Sequence, residues 1–246
     1  MNEAPPRSYG RGPDELRPTE IEPGFVHTAT GSALISMGET RVICTASAQS
    51  SVPRWLLGSG RGWVTAEYGM LPASTGERKQ RDVSRGRPDG RSVEIQRLIG
   101  RSLRVAVDFS LLGERSIYVD CDVLQADGGT RCAAITGGMV ALRLACEKLV
   151  ASGELERTPL SDSVAAVSCG IVDGVPLLDL DYSEDSIAEV DANVVITSDG
   201  GLVEVQATAE RTPLSRAHLD ELLGLAAEGV DHLRRFQDEA VASAAG

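Results

Sequence analysis

Hydrophobic residues in the first half of the chain alternate with polar ones in some segments and recur at helical spacing in others. Helical spacing predicts two helices, Ser92–Leu103, with Ser92 as its N-cap, and Thr130–Val150. The alternating or apolar runs predict four strands: Ala33–Met37, Thr40–Ser47, Arg104–Phe109 and Ser116–Leu124. In contrast, Ser50–Arg91 shows little periodicity, and residues 1–24 are rich in Pro, Gly and charge, so we interpret both as irregular.

The second half of the chain repeats this order of strands followed by a helix. Its patterns predict a closing helix, Ser215–Gln237, and four strands: Val164–Val172, Pro176–Asp181, Ala192–Thr197 and Leu202–Ala207. A strand in each half ends in Gln-Ala, at Gln125-Ala126 and Gln206-Ala207. We therefore predict one α+β domain over residues 1–246, with sheets covered by helices and an internal duplication whose halves are about 10–155 and 156–240.

Composition limits the classes of protein that fit this pattern. The 246 residues are 42% hydrophobic, and no apolar run approaches the roughly 20 residues that cross a bilayer. The first residues lack the layout of a signal peptide, so we expect a cytoplasmic protein with no membrane partner. The five cysteines include no C-x-x-C pair and lie mainly in apolar or alternating stretches, which favours buried thiols over a zinc site.

Charge is distributed unevenly along the chain. The net charge is −12, yet residues 1–104 carry 15 Lys and Arg residues against 11 Asp and Glu residues. The basic stripe, Arg78–Arg104, holds nine basic and three acidic residues. A local basic stripe on an acidic protein indicates a polyanion site, although a solvated arginine-rich loop has the same composition. Trp55 and Trp63 lie on either side of a glycine-rich loop, Gly58–Gly62. Their rings could stack on bases or fix a loop or subunit contact.

Two short segments carry candidate chemistry. Asp127–Arg131 is a glycine-rich turn at the start of a predicted helix, where backbone N–H groups, the Thr130 hydroxyl and the Arg131 guanidinium favour an anion. Arg91 precedes another predicted helix and could share that anion. Six carboxylates lie within thirteen residues between Asp179 and Asp191, which suits Mg²⁺ but also a solvated acidic loop.

These segments resemble the RNase PH family of phosphorolytic ribonucleases, which is related to polynucleotide phosphorylase and to the exosome core. The resemblance runs from about Arg7 to Leu233. It rests on GPDELRPTEIEPGF, GSALISMGETRVICTAS, VPRWLLGSGRGWVTAEYGMLP, GRSVEIQRLIGRSLR, YVDCDVLQADGGTRCAAITG and LLDLDYSEDSIAEVDANVV.

The resemblance implies a duplicated β-α unit like that of ribosomal protein S5 domain 2, and a homo-hexamer built as a trimer of dimers. Its implied site residues fall into three groups. Phosphate binding falls on Arg91, Gly129, Thr130 and Arg131; catalysis and Mg²⁺ binding fall on Asp185 and Asp191; and RNA binding and assembly fall on Arg78 and Arg81.

Three positions depart from the family pattern. Ala73 replaces a third arginine of the RNA-binding loop, and Cys132 with Ala134 replaces hydroxyl residues after the Gly-Thr-Arg turn. The implied reaction removes the 3′ nucleotide of tRNA precursors with inorganic phosphate and releases a nucleoside 5′-diphosphate; RNA is the expected partner, not DNA. An inactive RNA-binding ring subunit and a Mg²⁺-dependent hydrolytic nuclease are the alternatives.

Overall fold

The computed structural model describes residues 6–81, 84, 86–87, 89–211 and 213–244, and its first half is built on a five-stranded sheet. The strand order is β1-β2-β3-β5-β4. The strands are β1 Thr19–Pro23, β2 Gly31–Met37, β3 Thr40–Gln49, β4 Trp63–Met70 and β5 Ser116–Gln125. Strands β4 and β5 are parallel, so their carboxyl ends, at Met70 and Gln125, lie at the same edge of the sheet.

The second half forms a four-stranded antiparallel sheet in the order β7-β6-β8-β9. Its strands are β6 Val164–Val172, β7 Val175–Leu178, β8 Val190–Thr197 and β9 Leu202–Ala209. Strand β6 pairs with both β7 and β8, which places Leu178 opposite Cys169 and Asp191 opposite the next residue, Gly170. The acidic segment Asp179–Asp191 therefore leaves the sheet and rejoins it at nearly the same level along β6.

Among the described residues, five α-helices accompany the sheets: α1 Gly90–Val105, α2 Phe109–Leu112, α3 Thr130–Ala151, α4 Tyr182–Asp185 and α5 Arg216–Ala244. Helix α3 lies between the two sheets and contacts β2, β3 and β5 on one side and β6 on the other. It is apolar around most of its circumference, as expected for an enclosed helix. A side chain at Gly137 would lie 2.7 Å from Ile35, so this glycine lets the helix approach the first sheet closely.

The predicted α+β class is confirmed, and most predicted elements are present. The hairpin of β2 and β3, strand β5, strands β6, β8 and β9 and the two long helices α3 and α5 fall where the patterns placed them. The strand predicted as Pro176–Asp181 is shorter, because β7 ends at Leu178 and Asp181 is the N-cap of α4. The internal duplication stays a prediction.

Four local predictions are wrong. Arg104–Phe109 is not a strand, because α1 continues to Val105 and beyond it Val107 makes an isolated bridge to Leu160. Asp89, rather than Ser92, occupies the N-cap of α1, so Arg91 lies inside the first turn. The supposedly irregular segments contain β4 and β1.

The cysteines are buried and unpaired, as predicted. Burial raises the pKa of Cys146 and of Cys169 to about 12, so neither thiol ionises near neutral pH. Within the described residues, no helix has the length and apolar character needed to cross a membrane.

Candidate active site

The glycine-rich turn between β5 and α3 is pressed against the acidic segment. Gly128 and Gly129 have φ angles of 75° and 64°, a left-handed conformation that glycine adopts without steric cost. A Cβ atom on Gly128 would lie 2.7 Å from the carbonyl oxygen of Leu180. The Tyr182 N–H also donates to Oδ1 of Asp127 at 3.3 Å. The absence of side chains at this turn is therefore what lets the two segments meet.

The turn leads directly into the first residues of α3. Gly129 is the N-cap of this helix, and the N–H groups of Thr130 and Arg131 lie in the first turn, where no carbonyl of the helix accepts from them. The positive end of the helix dipole lies at the same place. The Thr130 hydroxyl shares a hydrogen bond of 2.9 Å with the hydroxyl of Tyr68 on β4. This hydrogen bond fixes the side chain of Thr130. The free N–H groups, the helix dipole and this hydroxyl together make the start of α3 suitable for an anion.

A cavity of about 630 Å³ opens over this helix start. It brings together three of the predicted site elements: Arg91 from the first turn of α1, Gly129 and Thr130 from the turn, and Asp185 from α4. The segment after β4 forms another wall through Thr75, Gly76, Glu77 and Lys79. The common edge formed by the ends of β4 and β5 is the reason that these distant segments meet.

Arg131 and Asp191 lie beside this cavity and are absent from its described lining. Nη1 of Arg131 donates to Oε1 of Gln206 at 2.6 Å and lies 3.6 Å from the carboxylate of Glu94. Burial and the nearby charge of Asp185 raise the pKa of Asp191 to about 6, although Arg131 and Arg91 act in the opposite direction. Burial also raises the pKa of Asp185. The two carboxylates are therefore close enough to repel each other.

Three buried arginines divide the acidic segment into two groups. Nε of Arg7 lies 2.7 Å from Glu184, Nη2 of Arg11 lies 3.2 Å from the same carboxylate, and Arg17 makes a two-pronged contact with Asp179. We call Arg7, Arg11, Arg17, Asp179, Asp181 and Glu184 the arginine–carboxylate cluster. Its charges are compensated within the protein, and the Glu189 side chain accepts from the N–H of Gly174. The two remaining carboxylates of the segment, Asp185 and Asp191, lie on the side of the cavity. The interpretation as a solvated acidic loop is therefore wrong for the cluster's carboxylates.

The short helix α4 holds Asp185 in place through a capping box. The Asp181 side chain accepts from the backbone N–H of Glu184, and the Glu184 side chain accepts from the backbone N–H of Asp181. Burial acts to raise the pKa of Asp181, but hydrogen bonds from Ser183, Ser8 and the Glu184 N–H, together with Arg11, lower it to about 2. Asp185 is the last residue of this helix, and it lines the cavity.

Comparison with known proteins identifies the family of the chain that carries this site. Residues 15–146 match domain 1 of the 3′ exoribonuclease family, RNase PH, and residues 162–229 match domain 2 of the same family. The chain belongs to the RNase PH family. The resemblance seen in the sequence motifs is thereby confirmed.

Three solved structures share this fold over most of the chain. The chain is similar to one in the Archaeoglobus fulgidus exosome with RNA bound to the active site, with a TM-score of 0.78, 26% identity and coverage of 93% of this chain and 91% of that one. A structure described as an archaeal exosome core has a TM-score of 0.73, 25% identity and coverage of 93% and 90%. Rice (Oryza sativa) Rrp46, with a TM-score of 0.76, 19% identity and coverage of 96% and 100%, supports the fold alone.

Two carboxylates of this RNase PH family member suit Mg²⁺ on the condition that water and substrate phosphate supply its other ligands. The described residues contain no group of three or more His, Cys, Asp or Glu side chains that could hold a metal. Mg²⁺ usually takes one or two protein carboxylates and completes its shell with water and substrate phosphate. Asp185 and Asp191, whose negative charges repel each other, fit that pattern.

The other expected site residues have different surroundings. Arg78 and Arg81 are exposed and are absent from the described lining of the cavity, and Arg85 of the basic stripe lies outside the described residues. Ala73, which replaces a family arginine, is also exposed. Cys132 is buried, and its Sγ donates to Oδ1 of Asn193 at 3.2 Å, so it faces the interior of the protein.

Two residues near the site, Tyr68 and Arg17, were missed by the sequence analysis, and Lys79 was predicted only as a member of the basic stripe. Tyr68 bonds to Thr130, Lys79 lines the cavity, and Arg17 donates to the carbonyl of Asp127 in the turn. The alternation of Val64, Ala66 and Tyr68, all buried, was the signal for β4 and therefore for Tyr68. For Arg17 the sequence offers no local signal, because its partners lie more than 100 positions away.

Proposed function

We propose that the chain is a phosphate-dependent 3′→5′ exoribonuclease that trims tRNA precursors in the cytoplasm. The observation that carries this proposal is the cavity that joins Arg91, the start of α3 and Asp185. An arginine, a hydroxyl and helix N–H groups form a site for inorganic phosphate, and the carboxylate beside it gives a metal-binding position. RNA bound to the active site of the Archaeoglobus fulgidus exosome structure supports RNA as the substrate class.

In the proposed reaction, hydrogen phosphate held by Arg91, Thr130 and the N–H groups of α3 attacks the last phosphodiester. A new P–O–P bond forms, and the bond to the 3′ oxygen of the preceding nucleotide breaks. The proton of the hydrogen phosphate ends on that 3′ oxygen. The products are a nucleoside 5′-diphosphate and an RNA shorter by one nucleotide, and the reverse reaction adds a nucleotide.

The protein contributes positioning and electrostatic stabilisation to this reaction. Arg91 and the dipole of α3 orient the attacking phosphate, while Tyr68 fixes the Thr130 hydroxyl. Arg131 acts through its backbone N–H and its positive charge while its side chain is bound to Gln206 and Glu94. Asp185 and Asp191 would hold Mg²⁺, whose positive charge would neutralise the charge of the reacting phosphates.

The decisive experiment identifies the released nucleotide. The protein is incubated with a single-stranded RNA and Mg²⁺, with and without inorganic phosphate. We expect nucleoside diphosphates that appear only when phosphate is present. Monophosphates released without phosphate would identify a hydrolytic nuclease, and RNA binding with no release under either condition would identify an inactive ring subunit.

A paired substitution tests the phosphate site itself. Arg91→Ala should raise the phosphate concentration needed for half-maximal rate by roughly tenfold or more, because a charge-assisted contact contributes about 1.5–3 kcal/mol. Arg143→Ala, which removes an arginine of α3 that pairs with Asp238 and is absent from the described lining of the cavity, is the control at saturating RNA. Arg131→Ala tests whether that side chain also binds phosphate. An unchanged phosphate requirement in the Arg91 variant would remove Arg91 from the site.

We also propose a homo-hexamer, built as a trimer of dimers. The exosome assemblies among the similar structures support a ring. Light scattering at micromolar concentration should give a particle near six times the 26.0 kDa chain mass. A particle of 26.0 kDa alone would contradict this assembly.

A further inference from the structure

One exposed tyrosine lies in the wall of the candidate active site. Tyr182 lines the cavity over the start of α3 and is 65% exposed. Tyr68, the other tyrosine at this place, is only 6% exposed, and its hydroxyl is bonded to Thr130. Of the lining residues that the structure describes, Tyr182 alone has an aromatic ring. Tyr182 therefore offers a ligand in this cavity a flat apolar face.

The backbone of Tyr182 is held firmly although its ring is exposed. Its N–H donates to Oδ1 of Asp127 at 3.3 Å, and its carbonyl accepts from the N–H of Ser186 at 3.0 Å. A Cβ atom on Gly128 would lie 2.9 Å from the backbone nitrogen of Tyr182, so the two segments are in close contact. In the part of the chain that the structure describes, the Tyr182 hydroxyl has no hydrogen-bond partner and the ring meets no other aromatic ring. The residue is fixed in place while its ring is available to a ligand.

The ring also lies beside one of the carboxylates proposed to bind Mg²⁺. Tyr182 is the first residue of α4, and Asp185 is the last. Residues three apart in a helix have neighbouring side chains, with roughly 5–6 Å between their Cβ atoms. Both residues line the cavity that also contains Arg91 and Thr130. Since the proposed reaction breaks a phosphodiester at this point, the ring of Tyr182 is next to the nucleoside that the reaction releases.

The cavity has room for a whole nucleotide and few apolar groups to receive its base. Its volume is about 630 Å³, and pockets of roughly 300–1,000 Å³ enclose ligands of drug size, which is also the size of a nucleotide. Met70 is the other large apolar residue of the described lining, but its sulfur lies 3.7 Å from Nζ of Lys79. A base that enters the cavity therefore finds its main apolar partner in Tyr182.

We propose that Tyr182 stacks on the base of the 3′-terminal nucleotide and holds that nucleotide in place for attack by phosphate. Every base has a π-face, so this contact accepts all four nucleotides without recognising their hydrogen-bonding groups. Tyr182 thus binds the base, whereas Arg91 and Thr130 bind the attacking phosphate. The inference rests on the proposed function, which supplies the nucleotide in the cavity.

The test compares two diphosphates that differ only in the base. ADP contains the base, and ribose 5-diphosphate lacks it. Binding of each compound to the intact protein is measured by calorimetry, with Mg²⁺ and without inorganic phosphate. Wild type should bind ADP more tightly than ribose 5-diphosphate. Tyr182→Ala should weaken the binding of ADP roughly 5- to 100-fold and leave the binding of ribose 5-diphosphate unchanged.

Two further variants separate stacking from other effects. Tyr182→Phe keeps the ring and should bind ADP nearly as wild type does. Ile187→Ala is the matched control, because Ile187 is 53% exposed just beyond α4 and is absent from the described lining of the cavity. It should bind both compounds as wild type does. In turnover assays, Tyr182→Ala should lower the rate at limiting RNA without changing the phosphate concentration needed for half-maximal rate.

Four results would overturn the inference. Equal binding of ADP by wild type and Tyr182→Ala is the first, and an equal loss in Ile187→Ala is the second. A loss in Tyr182→Phe as large as in Tyr182→Ala would indicate a hydroxyl contact in place of stacking. A changed particle size of Tyr182→Ala in light scattering would assign the ring to a contact with a second copy of the chain.

Failure of the proposed function gives a different result in the same experiment. If wild type binds neither diphosphate, the nucleotide site itself is absent and both proposals fall. If wild type binds both compounds and the loss of the Tyr182 ring changes neither, the inference fails alone.

Discussion

Nη2 of Arg17 lies 2.7 Å from Oδ1 of Asp179, and Nε of Arg17 lies 3.0 Å from Oδ2 of the same carboxylate. Both side chains are buried, and the Arg17 guanidinium also donates to the backbone carbonyl of Asp127. Asp127 begins the glycine-rich turn proposed to bind phosphate, and Asp179 begins the acidic segment. A single arginine from the N-terminal segment therefore holds together the two parts of the candidate site.

Breaking this pair should destabilise the protein strongly. Arg17→Leu leaves the Asp179 carboxylate buried without its main partner, and we expect a loss of about 3–5 kcal/mol in the free energy of unfolding. Urea denaturation measures it. Glu204→Gln is the control, because it disrupts an exposed pair with Arg101 and should cost no more than about 1 kcal/mol. Similar losses in the two variants would contradict a special role for the buried pair.

A methyl group at Gly128 should separate the turn from the acidic segment. Gly128→Ala combines an unfavourable φ of 75° with a contact of 2.7 Å to the carbonyl of Leu180. Gly58→Ala carries the backbone strain alone, since its φ is 76° and nothing lies within 4 Å of the added atom. We expect Gly58→Ala to cost about 1–2 kcal/mol and Gly128→Ala clearly more, with impaired phosphate use. Equal unfolding free energies would refute the close contact.

Loss of either cavity-side carboxylate should remove most turnover. Asp185→Asn and Asp191→Asn keep the shape of the side chain but remove the charge proposed to hold Mg²⁺, which should lower the rate by at least about 100-fold. Glu189→Gln is the matched control, because this carboxylate belongs to the same acidic segment but accepts from the N–H of Gly174. Rates are measured across a Mg²⁺ titration together with particle size. Near-normal rates in the Asp variants would end the proposed metal role.

Acid should weaken the protein partly through Asp181. Its pKa is lowered from 3.8 to about 2 in the folded state, so the ionised form stabilises the fold. This contribution is complete above about pH 5 and is lost as the pH falls through 4 towards 2. Asp181→Asn should therefore be less stable than wild type at pH 6 and lose less stability on acidification. Parallel curves of unfolding free energy against pH for the two proteins would exclude this contribution.

RNA binding should depend steeply on salt despite the acidic net charge. Arg78 and Arg81 are both exposed, and for single strands the slope of log affinity against log salt is about −0.7 per phosphate neutralised. Replacing both by Gln should flatten that slope and leave the released nucleotide unchanged. Replacing Arg143 and Arg235, on α3 and α5, removes equal charge as a control. An unchanged slope in a double variant of normal particle size would assign the two arginines to another role.

Local patterns were sufficient for the elements whose burial alternates or recurs regularly. The β2–β3 hairpin and α3 are examples, because the spacing of the apolar residues in each fits only one type of secondary structure. The turn before α3 was also recognisable, since Gly128 and Gly129 precede a helix start. The family resemblance then gave the positions of Arg91 and Asp185, which the structure brings to one cavity.

Non-local contacts explain what the sequence could not predict. The three arginines at positions 7, 11 and 17 looked like part of a charged lead-in, because their partners in the acidic segment lie far along the chain. Arg131 was expected to face phosphate, yet Gln206 and Glu94 hold its side chain. Whether a charged residue faces a ligand or a neighbouring strand depends on tertiary packing, which periodicity does not encode.

The enclosure of α3 has a consequence for how the molecule opens. This helix cannot lose its packing unless the two sheets separate, so its hydrogen-bonded amides, from Ala133 onward, should exchange with solvent only through global unfolding. Amides of the exposed loop around Trp55 should exchange far sooner. Gly129, Thr130 and Arg131, which are proposed to bind phosphate, lead directly into this slowest-exchanging part of the protein, and the substrate meets a surface whose shape is set before it arrives.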